Sequence, residues 1–440
     1  MSLQRKLNLF DATLLVAGNV VGAGIFATAG FVAHELPSPL LFISVWVAGG
    51  ILTVCGALTY AEMTAMFPRS GGDYLFLKAA YGPWAGFLLG WICFWIINPG
   101  SIAVLAVALA QYAKAILGVE PGVEKLIALS TVVCLSLLNY RGVRLGGSTH
   151  NVWTLGSFAI IGVLIVAGLA SGKGNWAHFH ETAGSAGIEP LKILGPAMIA
   201  VIFSYSGWFV TAYIGEEVKR PDRNLPLSLM LGTTVVMCLY MLLNVVYLYA
   251  LPLSAMAGVI NVGQTAAQRL LQPGVAGFIT LAIVLAMGAS MNATILSGAR
   301  LSYAMARDGL LWSALSAVHH KYGVPHVALL CQALLAGIFV LVETFENLLG
   351  SVVLVMLLSC IGSGLAHIVL RYRMPAAARP YKTLGYPFVP LLFVGGYVWI
   401  AVQIVMSNPA SSLVGLLVTL SGLPLYLWVF RRRKSLDPAL

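Results

Sequence analysis

The sequence predicts an all-α polytopic membrane protein of twelve transmembrane helices, and three observations carry that expectation. Hydrophobic residues make up 59% of the 440 positions and charged residues only 9%, against roughly 25% charged in a soluble domain. Runs free of Asp, Glu, Lys and Arg cover 36–61, 79–113, 145–172, 224–268, 270–299 and 383–430, each at least as long as the ~20 residues that cross a hydrocarbon core. The basic residues then divide unequally between alternate loops. So few charges cannot cover a soluble surface, which excludes a cytosolic enzyme, a nucleic-acid-binding protein and a secreted disulfide scaffold.

Cutting the chain at its charges places spans at 9–36, 39–67, 82–117, 124–140, 147–171, 191–218, 225–250, 272–306, 325–343, 346–371, 386–407 and 410–431. The fourth is the shortest, with a charge-free run of only 126–140, so Lys125 must snorkel at one end. Only the turn signal Ser407-Asn408-Pro409 separates the last two. An even count puts both termini on one side, where Arg5, Lys6, Arg69, Arg141, Arg144, Lys219, Arg307, Arg371, Arg379 and the Arg431 to Lys434 run all fall. That side carries twenty basic residues; the other keeps five, Lys114, Lys125, Lys173, Lys192 and Arg269. The positive-inside rule therefore predicts a multi-pass protein of the cytoplasmic membrane with both termini cytoplasmic. After Arg5-Lys6 the first apolar segment runs too long for a signal peptide and has no small-residue cleavage site. The six cysteines, at 55, 93, 134, 238, 331 and 360, lie within spans and read as buried single thiols.

Two spans contain interruptions. In the first, Gly22-Ala23-Gly24 follows Gly18 by one turn, and paired glycines weaken a helix at mid-membrane depth. Taken alone, Gly18 and Gly22 are equally a small-residue ridge for close helix packing. In the sixth, Phe203-Ser204-Tyr205-Ser206-Gly207-Trp208 puts three hydroxyls, a glycine and two aromatics into an otherwise apolar segment. Breaks in the first helix of each five-span half are the pattern of an inverted-repeat transporter with its site at the midplane. Unwound backbone in hydrocarbon must find partners. A zwitterion supplies them, its carboxylate meeting N–H groups of the half-helix starting near Gly24 and its ammonium meeting carbonyls around Phe203 to Ser206.

Further blocks complete the pattern: Tyr60-Ala61-Glu62, Pro68-Arg69-Ser70-Gly71-Gly72-Asp73-Tyr74, Glu216-Glu217-Val218-Lys219, Arg223-Asn224-Leu225-Pro226, Asn292, Arg300, Arg307-Asp308-Gly309, and Arg379-Pro380-Tyr381-Lys382-Thr383-Leu384-Gly385-Tyr386-Pro387. With the two broken spans, these make a chain that resembles the amino acid–polyamine–organocation superfamily and, within it, the L-type amino acid transporter family. The resemblance implies a 5+5 inverted repeat with discontinuous helices 1 and 6, over 9–171 and 191–371, plus two C-terminal helices over 386–431. It implies alternating-access transport, not an enzyme, and no cofactor. Carried over by position, it assigns the substrate carboxylate to the backbone of Gly22, Ala23 and Gly24, with Ile25 also in the substrate-binding segment, and the amino group to carbonyls near Phe203 and Ser204. Phe203 matches the aromatic gate, and Tyr205, Ser206, Gly207 and Trp208 complete the substrate-binding segment; Trp208 reads equally well as core filling.

No Asp or Glu falls at an expected midplane: Asp11, Glu62, Asp73, Glu216, Glu217 and Asp308 all map to span ends. A buried proton relay and a counter-ion for a cationic side chain are both missing on this reading, which favours neutral amino acids and exchange or facilitated movement. Glu216, Glu217 and Lys219 are expected to form a cytoplasmic gate or ion-pair network with Arg141, Arg144 or Arg307. Several relatives place a lysine on the fifth helix where this fold elsewhere holds sodium; here Ser157 takes that place, and with Ser290 it is the candidate coupling-ion site. Animal relatives are disulfide-linked to a heavy chain through the loop after the third span, but 115–125 has no cysteine, so a stand-alone monomer or homodimer is expected. His319, His320 and His326 read as loop histidines, not a metal site. The alternatives are a cationic amino-acid or polyamine exchanger, with cation–π contact from aromatics such as Phe203 or Trp208, or a Na+- or H+-coupled symporter.

Overall fold

The first helix begins where Asn8 and Asp11 cap each other: the Asn8 side chain accepts from the Asp11 amide at 3.1 Å, and the Asp11 carboxylate accepts from the Asn8 amide at 3.0 Å. Helix α1 (Leu9–Val20) then stops at Val21 and Gly22, and α2 (Ala23–Glu35) resumes along the same span. The structure, a computed structural model, describes all residues except 1–4, 6, 70, 119, 121, 142–146, 182–189, 408 and 437–440. Among them the only β feature is one parallel bridge, Leu7 to Val218.

Ser38 and Pro39 start α3 (Pro39–Met66), the Ser38 hydroxyl accepting from the Leu41 amide at 3.3 Å, and Pro68 follows its end. The third apolar stretch is composite: α4 (Asp73–Tyr81), α5 (Pro83–Ile92), a π turn at Cys93–Ile97, and α6 (Asn98–Leu117). Pro99 has no N–H to donate to the preceding turn, so the ladder widens there instead of breaking. There follow α7 (Glu124–Tyr140), α8 (Gly147–Ala170), α9 (Pro190–Ser204), a 3-10 stretch Trp208–Glu217, and α10 (Pro221–Ala250). Two short helices, α11 (Leu253–Met256) and α12 (Val262–Leu270), precede the long α13 (Pro273–Arg307). The chain ends with α14 (His326–Val342), α15 (Phe345–Arg373), α16 (Phe388–Ser407) and α17 (Pro409–Leu436).

Among the described residues, eight helical stretches are long and apolar enough to cross a membrane, and Thr154–Ala170, His326–Val342 and Ser412–Leu427 are shorter apolar helices. The protein is thus an all-helical, multi-pass membrane protein. The expected twelve spans include one that joins neither group: α7 is 17 residues long and carries Glu124 in its first turn. Its charges are accommodated at the rim, Glu124 pairing with Lys114 at 2.5 Å and Lys125 reaching the Leu341 carbonyl at 2.8 Å.

Burial follows the helical period. On α13, Ala276, Ile279, Ile283 and Met287 are buried while Val275, Phe278, Leu281 and Leu285 are exposed, an apolar outer face suited to lipid. The expectation of six buried thiols is corrected by the same geometry: Cys55, Cys93 and Cys360 face inward, but Cys134 and Cys238 sit on outer faces of α7 and α10, and Cys331 is intermediate. At the centre α10 packs along α1 and α3, and α2 packs against α9, so the two interrupted stretches meet.

Candidate functional site

Helix α1 ends by geometry as much as by composition. Gly22 takes φ −124 and ψ −143 and caps α2 with no side-chain acceptor, so the first N–H groups of α2, from Ala23, Gly24 and Ile25, have no acceptor within the helix. They form the positive end of a half-helix, a ready anion site. In the second interruption, the Ser206 amide folds back to the Phe203 carbonyl at 3.0 Å. Gly207 then turns with φ +90, a conformation that strongly favours glycine.

The two breaks touch. A Cβ on Gly24 would lie 2.5 Å from Ser204 Cα, and one on Gly207 would lie 2.5 Å from Asn19 Nδ2; both glycines exist for this approach. Asn19 Nδ2 donates to the Gly207 carbonyl at 2.8 Å. Thr28 Oγ1 donates to the Gly24 carbonyl at 2.8 Å and meets Ser204 Oγ at 2.5 Å, and Ser204 Oγ in turn reaches the Ala200 carbonyl at 2.9 Å. From α10, the Tyr240 hydroxyl lies 2.9 Å from the Val20 carbonyl and 3.1 Å from the Ser204 carbonyl. One fully buried phenol therefore bridges the last carbonyls before the two breaks.

A cavity of about 300 Å³ adjoins this junction, running between α1, α8 and α13. Its inner end is lined by Gly18, Asn19, Val21, Thr154, Ser157 and Ser290, and its other end by Leu7, Asp11, Glu217 and Arg300. Ser290 approaches Gly22 so closely that a Cβ there would be 2.6 Å from its hydroxyl. Asn151 Nδ2 donates to Asp11 at 2.8 Å and Asn139 Nδ2 to Asn292 at 2.6 Å, which fixes polar groups along the wall. Beyond the breaks α2 is tied to its neighbours: Tyr112 donates to the Phe26 carbonyl at 2.7 Å, and the Gly258 amide to the Gly30 carbonyl at 2.9 Å. Among the described residues, the cavity runs from the junction toward the N-terminal segment, where Leu7 and Asp11 line it.

Most residues singled out in the sequence converge here. Gly22, Gly24 and Ile25 are buried at the first break, Ser204, Ser206 and Gly207 form the second, and Ser157 and Ser290 share one cavity. Of Ala23 the structure describes only the backbone. Tyr205 and Trp208, by contrast, do not line the cavity: Tyr205 packs against Trp46 and donates to its carbonyl at 3.2 Å, and Trp208 packs on Tyr60, Phe209 and Phe393. Both are core aromatics in this conformation, and Phe203 is buried as well.

The sequence leads one to expect an ion-pair network on Glu216, Glu217, Lys219, Arg141 and Arg307; the densest set of ion pairs resolved among the described residues lies elsewhere. Glu217 contributes its carbonyl to the Leu7 amide, and Arg307 lies over the Tyr303 ring; Arg144 lies outside the described residues. The ionic hub is instead Glu62, 1% exposed, which receives Arg371 Nε at 3.0 Å and Nη2 at 2.5 Å, Arg379 Nε at 3.1 Å, His367 Nε2 at 3.0 Å and the Thr383 amide at 2.8 Å. That arrangement explains two separate sequence blocks, around Glu62 and around Arg379-Pro380-Tyr381-Lys382-Thr383, as halves of one tie. His319 stacks on His320 and Tyr322, and His326 packs edge-on to both His319 and Tyr140.

Asn19, Thr28 and Tyr240 were missed. Asn19 carried a readable signal, a carboxamide in an apolar span three residues before the paired glycines. Tyr240 carried none, since nothing in its apolar span marks which tyrosine faces a break.

Comparison with known proteins agrees with this architecture. The amino acid permease family matches residues 7–430. The chain is 30% identical over 436 residues to the serine/threonine exchanger SteT of Bacillus subtilis, covering 98% of each. It is 29% identical to the human large neutral amino acids transporter small subunit 2, over 97% of this chain and 80% of that one. It is likewise 29% identical to the human b(0,+)-type amino acid transporter 1, over 97% and 88%. With the family matched over nearly the whole chain, this protein belongs to the amino acid permeases of the amino acid–polyamine–organocation superfamily, and is an amino acid transporter rather than an enzyme.

Proposed function

We propose that the chain exchanges neutral amino acids across the cytoplasmic membrane by alternating access, with the substrate headgroup held between the two breaks. The observation that carries this reading is the junction itself: an uncapped half-helix N-terminus at Gly22 to Ile25 against the second break at Ser204 to Gly207, beside a cavity of about 300 Å³. The open N–H groups of α2 receive the carboxylate. The carbonyls at the second break receive the ammonium, with Asn19 and Tyr240 setting their positions. Neutral side chains fit because the inner end of the cavity is lined by Asn19, Val21, Thr154, Ser157 and Ser290, while Asp11, Glu217 and Arg300 stand at its other end. The names of the relatives, a serine/threonine exchanger and a neutral amino acid transporter subunit, support the same class.

On this reading the fold is a 5+5 inverted repeat of twelve spans with both termini cytoplasmic, as the twenty-to-five division of basic residues supports. The cavity is then the inward-facing vestibule. Closure brings the segment Trp208–Glu217 toward α8 and α13 and opens the α2 side, where Tyr112 and Gly258 now hold. The chain works without a disulfide-linked partner, because 115–125 has no cysteine. Exchange is tested by uptake of labelled serine, threonine and leucine into proteoliposomes with and without internal amino acid, in sodium and in potassium. Uptake that requires internal substrate and ignores sodium is the expected result. Sodium-driven uptake into empty vesicles would replace exchange by symport and make Ser157 and Ser290 ion ligands. Absence of all neutral transport with arginine uptake retained would move the reading to a cationic exchanger.

A further inference from the structure

Two buried carboxylates lie near each other in sequence and differ in one respect. Glu62 is surrounded by Arg371, Arg379 and His367. Asp73 has no ion-pair partner among the described residues. After α3 ends, the chain turns through Gly71 at φ +147 and Gly72 at φ +52, and the Gly72 amide donates to the Ala212 carbonyl at 3.1 Å. A Cβ on Gly72 would strike the Tyr213 ring at 2.7 Å, so the turn is pressed beneath the stretch that follows the second break. This drives Asp73, the first residue of α4, into the interior, where it is 2% exposed. Asp73 thus lies ahead of the span Pro83–Lys114, and turning inward at two left-handed glycines buries an acid that would otherwise be solvated.

Three elements face the carboxylate with neutral groups. Tyr213 donates to Oδ2 at 2.9 Å, Ser363 on α15 donates to Oδ1 at 2.7 Å, and the buried Tyr60 hydroxyl on α3, with no hydrogen-bond partner within normal distance, faces it as well. The remaining titratable neighbours are the thiols of Cys93 and Cys360. Burial without a counter-cation holds the Asp73 carboxyl above the usual carboxylate range, and the three hydroxyls offset only part of that effect. On α15 and its following loop, Arg371 and Arg379 are held by Glu62, and Arg373 donates to the Ala80 carbonyl of α4 at 2.8 Å.

We propose that Asp73 is a proton-binding site tied to the position of the segment after the second break, so that amino-acid transport by this chain is linked to pH. The inference rests on the alternating-access reading. In the conformation described, the carboxyl oxygen keeps its proton because ionisation would leave a buried charge among neutral partners. Movement of Trp208–Glu217 breaks the contacts of Tyr213 with Asp73 and of Ala212 with Gly72, admits water, and lets the proton pass to solvent on the side of the N-terminal segment. Return of the segment requires the carboxylate to take a proton back from that solvent, so that one proton is released and one bound per cycle.

The test is equilibrium exchange of labelled serine in proteoliposomes with equal pH on both sides, scanned from acid to alkaline. The parent protein should show a one-proton step above the ordinary carboxylate range, with a slope of at most about tenfold per pH unit. Asp73→Asn, a neutral isostere of the protonated acid, should exchange serine and lose the step. Ser363→Ala removes one donor to the ionised form and should move the midpoint to higher pH, which keeps the inference open to refutation should Asp73→Asn not fold. A parent profile without a step, an Asp73→Asn profile with the parent's step, or a Ser363→Ala midpoint that is unchanged or lower each overturns it while exchange persists. Loss of all exchange in the parent would instead overturn the transport reading on which it stands.

Discussion

Replacing Tyr240 by phenylalanine isolates the junction between the breaks. The Val20 carbonyl has a second donor, the Gly22 amide at 2.8 Å, whereas the Ser204 carbonyl is reached by the Tyr240 hydroxyl at 3.1 Å. Removing that hydroxyl therefore falls mainly on Ser204, leaving a buried acceptor short of a partner at a cost of about 1–3 kcal/mol. If the substrate ammonium docks on the same carbonyl, the loss is confined to the empty carrier, because in the loaded carrier the ammonium supplies the hydrogen bond. Binding should then tighten by up to the full difference, roughly 5- to 150-fold, while exchange slows because release must restore an unsatisfied carbonyl. The assay is a tryptophan-fluorescence or scintillation-proximity titration of Tyr240→Phe with serine, alongside a carboxylic acid analogue that has no amino group. Tightening confined to the amino acid is the expected outcome. Equal weakening for both compounds would show that the hydroxyl only holds the backbone in place, and would refute competition for the Ser204 carbonyl.

The other contacts give shorter tests. Gly24→Ala places a methyl 2.5 Å from Ser204 Cα, so α2 must shift away from α9; overpacking of this kind costs about 1–3 kcal/mol, and uptake should fall at least tenfold with membrane expression retained. Gly156→Ala, on an exposed helix face with nothing within 4 Å of the new methyl, should transport like the parent and serves as its control. Asn19→Ala removes the 2.8 Å bond to the Gly207 carbonyl, worth about 0.5–1.5 kcal/mol, and should raise KM severalfold; Asn19→Asp, which sets a carboxylate against that carbonyl, should be worse than Asn19→Ala. Glu62→Gln leaves Arg371 and Arg379 against a neutral amide in a buried site. Breaking a buried pair in this way costs about 3–5 kcal/mol, which should appear as a lower melting temperature in detergent.

The long apolar runs, the two breaks and the glycines that make them were legible because each leaves a local mark: absence of charge, or a residue without a side chain where helices do not favour one. Gly24 and Gly207 are required by contacts to Ser204 and Asn19 on the other break, and the composition at each site announces the need without naming the partner. Residues that act by direction were not legible. Tyr205 and Trp208 stand in the second break yet turn into the aromatic core around Trp46 and Tyr60, since a half-turn of unwound chain re-aims every side chain that follows it. The main ionic cluster was not legible either. The Glu216-Glu217-Val218-Lys219 block offers an ion-pair network by proximity in sequence, but the densest network joins Glu62 to Arg371 and Arg379, more than 300 positions away.

The polar ends exposed by the two interruptions are treated unequally, and this inequality bears on how a substrate is held. The carbonyl ends are covered by the protein: Val20 by Gly22 and Tyr240, Ser204 by Tyr240, Gly207 by Asn19. The amide end is left open, for Gly22 offers no side-chain cap to the first turn of α2. An empty site built this way exerts its strongest unsatisfied attraction on an anion, so the carboxylate is the first group of an incoming amino acid to gain by entering, and the ammonium must compete with neutral hydrogen bonds already formed. Competition of this kind keeps the loaded state from becoming too stable to release. Exchange of one amino acid for another, as proposed above, would need that balance, because on that reading each turn of the cycle ends with the headgroup leaving the same backbone that captured it.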